Sequence, residues 1–358
     1  MVYQQSAFDK WPIDDVSCQL IATSPPYYAL RKYNIPDVII GGDKNCPHEF
    51  EIKKHRKEHH GKIAATLKTD AIIEYQQGFC IHCSAWKGQY GLENTPFGDE
   101  HSYVSHTLLW AKEAWRVLRN DGIFFLNIAD SYPSGGGKAI EQSFKRKSAI
   151  NSGAYPDNSP SANLRKTMPR CKLLIPHRIA IALIDEGWIL RNDIPWYKPN
   201  AMPESVTDRF SKKYEFIFMF TKQEKYYFDL NSVREPHKEV SLERVKHQWN
   251  GHREAMSSYS NMDISKMCHS LGKNPGDIWN IPTSPSKERH YAMWPERLVE
   301  RMIKCSTKPN DIVLDCFAGS CTTGIVAEGL HRKFIGIELG YADIHKRRMS
   351  RIQKKLLL

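Results

Sequence analysis

The chain has 358 residues, 41% of them apolar, which is enough for a sizeable core and rules out wholesale disorder. Lysine and arginine total 51 against 40 acidic residues, a formal net charge of +11, with a pI near 9.1. No apolar run reaches the ~20 residues that span a bilayer, and the N-terminus lacks the charged-then-apolar order of a signal peptide. The expected location is therefore the cytoplasm. The charge suits a polyanion such as nucleic acid, because neutralised phosphates release condensed counterions. In a reducing compartment the nine cysteines are thiols or metal ligands rather than disulfides.

In chain order, residues 19–23 form a short apolar strand that stops at Ser24-Pro25-Pro26. Residues 41–90 are His- and Lys-rich with little periodicity. Apolar spacing predicts a helix over about 101–118. Asp121-Gly122 then predicts a turn into a near-continuous apolar strand, the pattern of a parallel strand covered on both faces. Residues 133–170 carry a triple glycine and many basic residues but few large aliphatics, a composition that predicts a mobile basic loop. A helix over about 173–186, stopped by Gly187, precedes strands near 188–197, 215–222 and 226–229. A second polar stretch runs from 235 to about 275. From residue 295 the order is helix, strand, Gly-containing turn, helix, strand, basic helix. Strand–helix alternation of this kind predicts a parallel α/β sheet.

Two motifs carry chemistry. In Thr23-Ser24-Pro25-Pro26-Tyr27, two prolines fix φ and remove two N–H donors, leaving rigid carbonyls without internal partners. A carbonyl and a serine hydroxyl can accept hydrogen bonds from an NH₂ group, and Tyr27 offers a face on which a base can stack. In Asp315-Cys316-Phe317-Ala318-Gly319-Ser320-Cys321-Thr322-Thr323, a strand, a small-residue turn and a helix N-terminus form a cradle for an anionic group. Glu338 ends the next strand, where an acidic side chain can accept ribose hydroxyls.

Together these motifs resemble the β-class amino-methyltransferases of DNA, with the catalytic motif first and the cofactor motif last. The resemblance extends through Arg116-Val117-Leu118 to Asn127 and Asp130, through Asn192-Asp193-Ile194-Pro195-Trp196-Tyr197-Lys198-Pro199-Asn200 with Arg209 and Tyr214-Glu215, and through His290 to Leu298. It implies a Rossmann-like class I methyltransferase fold with circularly permuted motif order, and S-adenosylmethionine as cofactor. Ser24, Pro25, Pro26 and Tyr27 would hold a flipped base. Thr23, Pro295, Asp315, Phe317, Gly319, Ser320, Cys321, Thr322, Thr323 and Glu338 would bind the cofactor. The chain departs from the family's usual D-P-F-x-G-S-G at Cys316 and Cys321. A β-carbon at Cys321 is expected to narrow the approach of the turn to its ligand.

Serine at the first catalytic position is associated in this family with N4 of cytosine, and adenine N6 is the alternative. Two other classes share part of the pattern. Methyltransferases of glutamine side chains or RNA use a Pro-Pro-Tyr turn, but with the cofactor motif first and Asn before the prolines. A non-catalytic nucleic-acid-binding module would fit a degenerate cofactor turn. Double-stranded DNA is the expected macromolecular partner, with a cognate restriction endonuclease as a second.

Cys46, His48, Cys80 and Cys83 could together supply four tetrahedral zinc ligands, with His82, His55, His59 or His60 as alternatives to His48 in the less usual Cys-x-His half. Relatives with this catalytic motif carry a similar cluster before a segment resembling Trp86-Lys87-Gly88-Gln89-Tyr90-Gly91-Leu92-Glu93. No open ligand position is implied, so zinc would be structural. Cys18, Cys171, Cys268 and Cys305 are expected to be ordinary thiols. The basic run at 345–355 is expected to be a solvated helix face. Phosphate contacts are expected from Lys138, Lys145, Arg146, Lys147, Arg165, Lys166 and Arg170. The expected organisation is a methyltransferase domain at 1–40, 96–132, 171–234 and 281–358, whose last part binds cofactor. It is interrupted by a Cys/His insertion (41–95), the basic loop (133–170) and a target-recognition segment (235–280).

Overall fold

The computed structural model describes residues 1–30, 32–33, 35–56, 72–133, 168, 170–246, 268–284, 294–341 and 347–348. The strands are β1 (Val2–Gln4), β2 (Cys18–Thr23), β3 (Val38–Ile40), β4 (Phe50–Arg56), β5 (Ile72–Cys80), β6 (Trp86–Gly88), β7 (Leu118–Ile128), β8 (Ile189–Tyr197), β9 (Tyr214–Thr221), β10 (Trp279–Asn280), β11 (Ile312–Asp315) and β12 (Lys333–Glu338). The α-helices are α1 (Tyr103–Val117), α2 (Ile175–Asp185), α3 (Glu239–Lys246), α4 (Glu296–Ser306) and α5 (Thr322–Gly329).

Eight strands form the central sheet in the order β1-β12-β11-β2-β7-β9-β8-β10. All pairings are parallel except those made by β9, which runs against both β7 and β8. The apolar residues of each strand divide by parity between the two faces. Phe124 and Leu126 of β7, Phe218 and Phe220 of β9, and Leu314 of β11 pack with α1 and α2 on one face. Ile123, Phe125, Ile217, Met219 and Val313 pack with α4 and α5 on the other. This three-layer α/β/α arrangement explains why β2 and β7 read as continuous apolar runs: they have no solvent face.

Capping fixes the helices that matter here. Ser102 Oγ accepts the Ser105 N–H at 3.3 Å at the start of α1. At α2, Asp130 accepts the N–H groups of Leu174 and Ile175, each at 3.1 Å, serving as an N-cap from a different segment.

The structure corrects two expectations. Asp121-Gly122 does not turn the chain into a strand. β7 is already paired with β2 from Leu118, across a bulge between Cys18 and Leu20. A Cβ at Gly122 would lie 2.9 Å from the Gln19 carbonyl oxygen, so the glycine is needed for close strand approach inside the bulge. Residues 226–229 are not a strand. They run without a ladder, tied by Tyr227 N–H to Asp121 O (2.9 Å) and by Asp229 N–H to Cys305 O (2.7 Å). The strand β1, whose three residues carry too little pattern to be recognised, edges the sheet beside β12.

Residues 38–88 hold a second, antiparallel sheet, ordered β3-β6-β5-β4. Its inner edge is not separate from the main core: Ile40, Trp86 and Tyr90 pack in the same cluster as α1. The polar stretch after residue 235 is anchored at Glu235, which pairs with Lys273 (3.0 Å) and Arg301 of α4 (2.6 Å). No helix among the described residues is long and apolar enough to cross a membrane.

Candidate active site

The parallel topology brings the carboxyl ends of β2 and β11 side by side, although Thr23 and Asp315 lie 292 residues apart. This is where ligands sit in open α/β sheets. The cavity there has a volume of about 470 Å³. The turn after β2 and the turn after β11 contribute to its wall, with Lys198, Glu215 and Trp294 closing another side.

Asp315 is buried beneath the turn after β11. One carboxylate oxygen accepts from Thr23 Oγ1 at 2.7 Å, the other from Thr323 Oγ1 at 2.6 Å. The Phe317 N–H adds a third donor at 3.2 Å. Burial pushes the carboxyl up to about 6, and these donors hold it back from going higher. Asp315 thus ties β2, β11 and α5 together under the cavity floor.

Glu338 is half-buried at the end of β12. It accepts the Gly319 N–H at 2.7 Å and the Gly340 N–H at 3.0 Å. Burial raises its carboxyl above the ordinary value. Ser320, Thr322 and Thr323 line the cavity at the N-terminus of α5. Cys321 does not. It takes a left-handed conformation (φ 60°) and is fully buried, packed in the apolar cluster with α4. The expected narrowing of the turn is therefore avoided, because the added side chain points into the core. Thr23 and Pro295 also lie off the cavity wall: Thr23 is fully buried against Asp315, and Pro295 caps α4. Arg348 donates to the Ser320 carbonyl at 2.9 Å, so this residue of the basic run packs on the cofactor turn instead of lying wholly in solvent.

On the β2 side of the cavity, Asn127 is the hub. Its amide nitrogen donates to the Phe216 carbonyl at 3.0 Å, which turns Oδ1 toward the cavity. That oxygen accepts from Trp294 Nε1 at 3.0 Å and lies 2.8 Å from Tyr27 Oη. Tyr27 Oη is also 2.9 Å from Glu215 Oε2 and 3.1 Å from Ser24 Oγ. A phenol has one proton, so it donates to either Asn127 or Glu215 at a time. Burial, reinforced by the Glu215 carboxylate, keeps that phenol protonated far above its usual range. Lys198 pairs with Glu215 and sits 4.1 Å from the Trp196 ring centroid. Among the described residues no donor is bonded to the Pro25 carbonyl, whereas Pro26 O accepts from Tyr103 Oη at 2.8 Å.

Lys198, Glu215 and Trp294 received no role from the sequence. The β8–β9 register, which pairs Trp196 with Glu215, brings Lys198 and Glu215 to one wall. Their only sequence signal is the resemblance of 192–200 and 214–215 to a family segment.

Away from the cavity, Cys46, His48, Cys80 and Cys83 converge, with all four ligand atoms within 4.8 Å of one another. Cys46 Sγ and Cys80 Sγ are 3.7 Å apart, and Cys83 Sγ is 3.4 Å from His48 Nδ1. Burial pushes the Cys80 thiol up, but hydrogen bonds from His48 and the backbone at His82 and Cys83 outweigh it and hold it at about 5. Of the other cysteines, Cys18 and Cys305 are buried, Cys171 is exposed and Cys268 is intermediate. Of the residues expected to meet phosphate, Lys138, Lys145, Arg146, Lys147, Arg165 and Lys166 lie outside the described residues. Arg170 is exposed and paired with Asp208 at 3.0 Å.

Comparison with known proteins decides the family. The DNA methylase family model covering N6 and N4 enzymes matches residues 18–346. The chain belongs to this family of DNA methylases. It is accordingly an S-adenosylmethionine-dependent enzyme that methylates an exocyclic amine of DNA, at cytosine N4 or adenine N6. Type II methyltransferase M.Cfr9I of Citrobacter freundii is 36% identical over 347 residues, 96% of this chain and 85% of the relative. M.SmaI of Serratia marcescens is 33% identical over 266 residues, 74% and 78% respectively. The PvuII DNA methyltransferase (cytosine-N4-specific) shares the fold, with a TM-score of 0.54 and 19% identity over 99% of this chain and 89% of that one. The family fold and the permuted motif order inferred from the two turns agree with these matches.

Proposed function

We propose that this methylase modifies N4 of cytosine in duplex DNA as the protective half of a type II restriction–modification pair. The observation that carries the choice is Ser24. The group facing the target amine is a half-exposed neutral hydroxyl, bonded among the described residues only to Tyr27 and Asn127. A hydroxyl can accept from the N4 amine or donate to cytosine N3 by rotating, with no proton transfer. The cytosine-N4 specificity of the PvuII enzyme and the type II class of the relatives support the same reading.

The target nucleotide is extruded from the stack into the cavity, where Ser24 and the Pro25 carbonyl hold the amine and Tyr27 stacks on the ring. The two turns fit S-adenosylmethionine: the cavity is of ligand size, the α5 N-terminus offers backbone donors, and Glu338 is placed for the ribose hydroxyls. Asp315, Phe317, Gly319, Ser320, Thr322 and Thr323 complete that half, with Thr23, Pro295 and Cys321 supporting it from behind. When bound, the cofactor supplies an electrophilic methyl group. The chain's own contribution is alignment, which can supply about 7–11 kcal/mol.

Cys46, His48, Cys80 and Cys83 fit structural zinc. With Zn–S bonds of about 2.3 Å, a tetrahedron has edges of about 3.8 Å, close to the 3.7 Å between Cys46 and Cys80 sulfurs. One zinc per chain is expected by metal analysis. Cys80→Ser and Cys83→Ser should each lose it together with thermal stability, and metal-free wild-type protein would refute the assignment. The basic residues of 133–170 would contact phosphate; neutralising Lys145, Arg146 and Lys147 should lower the salt slope of binding by up to about 3. The test of the main proposal is nucleoside mass spectrometry of DNA treated with protein and S-adenosylmethionine. N4-methylcytosine is expected, and N6-methyladenine would overturn the base assignment while leaving the family intact.

A further inference from the structure

The turn Ser24–Tyr27 is gripped from behind by residues that never reach the cavity. Its prolines lack N–H groups, so neither can donate a backbone hydrogen bond to brace the turn. Tyr103, fully buried as the first residue of α1, donates to Pro26 O at 2.8 Å. Gly91 lies against the same turn: its carbonyl accepts the Ala29 N–H at 2.7 Å. A Cβ on Gly91 would meet Pro26 Cβ and Tyr27 O at 3.2 Å each, at a φ of +93° that disfavours any side chain.

Gly91 is itself pinned. Glu93 Oε2 accepts its N–H at 2.9 Å, and Glu93 Oε1 lies 3.0 Å from His106 Nδ1. Both side chains of this pair are at most 1% exposed. A buried carboxylate is costly unless it is paired and hydrogen-bonded, so the pair marks a place where position outweighs stability. His106 Nε2 has no partner among the described residues. Its ring is instead oriented by Glu93 and by the Trp86 ring, 5.2 Å away. Trp86 opens β6, which pairs with β5, the strand that ends in Cys80. The same insertion reaches further around the cavity. Gln89 accepts the Tyr33 N–H at 3.1 Å and donates to Ile35 O at 2.7 Å, and Tyr33 and Ile35 both line the cavity.

We infer that Gly91, the Glu93–His106 pair and Tyr103 are positioning residues for methyl transfer, and that the Cys/His insertion is the buttress that holds the catalytic turn in register. The inference rests on the reading of Ser24–Tyr27 as the catalytic turn. It explains why a cluster with no open ligand position lies in an insertion directly after that turn.

The test uses the full chain and four variants. Tyr103→Phe removes one hydroxyl with little change of shape. Gly91→Ala presses on the turn. Gly98→Ala is the control, since Gly98 has a similar φ of +100° but nothing within 4 Å of an added Cβ. Single-turnover methylation at saturating DNA and cofactor, S-adenosylmethionine affinity and thermal melting are read for each. Tyr103→Phe and Gly91→Ala should lower the maximal rate about tenfold or more while cofactor affinity holds. Gly98→Ala should lower melting only by the backbone strain it shares with Gly91→Ala, and should keep the wild-type rate. A wild-type rate in Tyr103→Phe, equal rates for the two alanine variants, or rate and cofactor affinity lost together would overturn the inference. Ser24→Ala in the same assay separates the two readings. Full activity there removes the catalytic-turn assignment itself, whereas an inactive Ser24→Ala beside a normal Tyr103→Phe removes only the buttress.

Discussion

The two turns that face each other across the cavity follow neighbouring parallel strands, yet they are built by opposite devices. The turn after β2 uses two prolines, which delete donors and fix φ, so it presents the Pro25 carbonyl and a hydroxyl, while Pro26 O is taken by Tyr103. The turn after β11 uses left-handed residues, Gly319 at φ 51° and Cys321 at φ 60°, and leads into a helix whose first N–H groups have no helical partner. One turn is an acceptor surface suited to a base amine, the other a donor surface suited to a carboxylate. The difference extends to what lies beneath. The first is held by a hydroxyl from α1 and a glycine from the insertion, the second by a buried carboxylate clasped between threonines. The chemistry of a turn follows from which backbone groups its residues leave unpaired.

If the division holds, variants on the two sides should fail in different ways. The largest effect is expected at Ser24→Ala and Tyr27→Ala: methylation should fall about 10²–10³-fold with S-adenosylmethionine affinity kept. Equal loss of cofactor affinity in both would erase the distinction.

Asp315 comes next. Its folded-state carboxyl stands at about 6 against an ordinary 3.8. Between those values the folded chain keeps a proton that the unfolded chain has released, so stability falls as pH rises through this window. The ionised group then costs about 3 kcal/mol above pH 6. An asparagine side chain at this position cannot titrate. The melting temperature of Asp315→Asn relative to wild type should therefore be most favourable near pH 7.5 and decline toward pH 4. A difference independent of pH would show that Asp315 is not ionised against its burial.

Glu338→Ala should weaken S-adenosylmethionine binding roughly 10–100-fold, the worth of one or two charge-assisted hydrogen bonds, with DNA affinity unchanged. Calorimetry measures it, and an unaltered cofactor affinity would move the ribose site elsewhere. The smallest effect belongs to Cys321→Gly. Relief of the left-handed strain, about 1–2 kcal/mol, is offset by loss of a buried thiol, so stability should shift by no more than about 1 kcal/mol. Cofactor affinity should not change, because the side chain lies off the cavity. A marked change would return Cys321 to the site.

The sequence alone determined the α/β class, the two turns and the four-residue Cys/His cluster, because each is local: prolines, glycines and ligand spacing act within a few residues. It also placed Asp315 and Glu338 at strand ends, where a parallel sheet gathers its ligands. What only the tertiary structure decided was everything set by strand order and face. Asn127 became the hub because β9 lies beside β7 and fixes its amide. Lys198 and Glu215 share a wall through the β8–β9 register. Cys321 left the site because a positive φ turned its side chain into the core. The bulge at Gly122 and the grip of Gly91, Glu93, His106 and Tyr103 on the catalytic turn depend on contacts between segments far apart in the chain. No pattern within one segment encodes such contacts, since burial on one face specifies that a residue is covered but not by what.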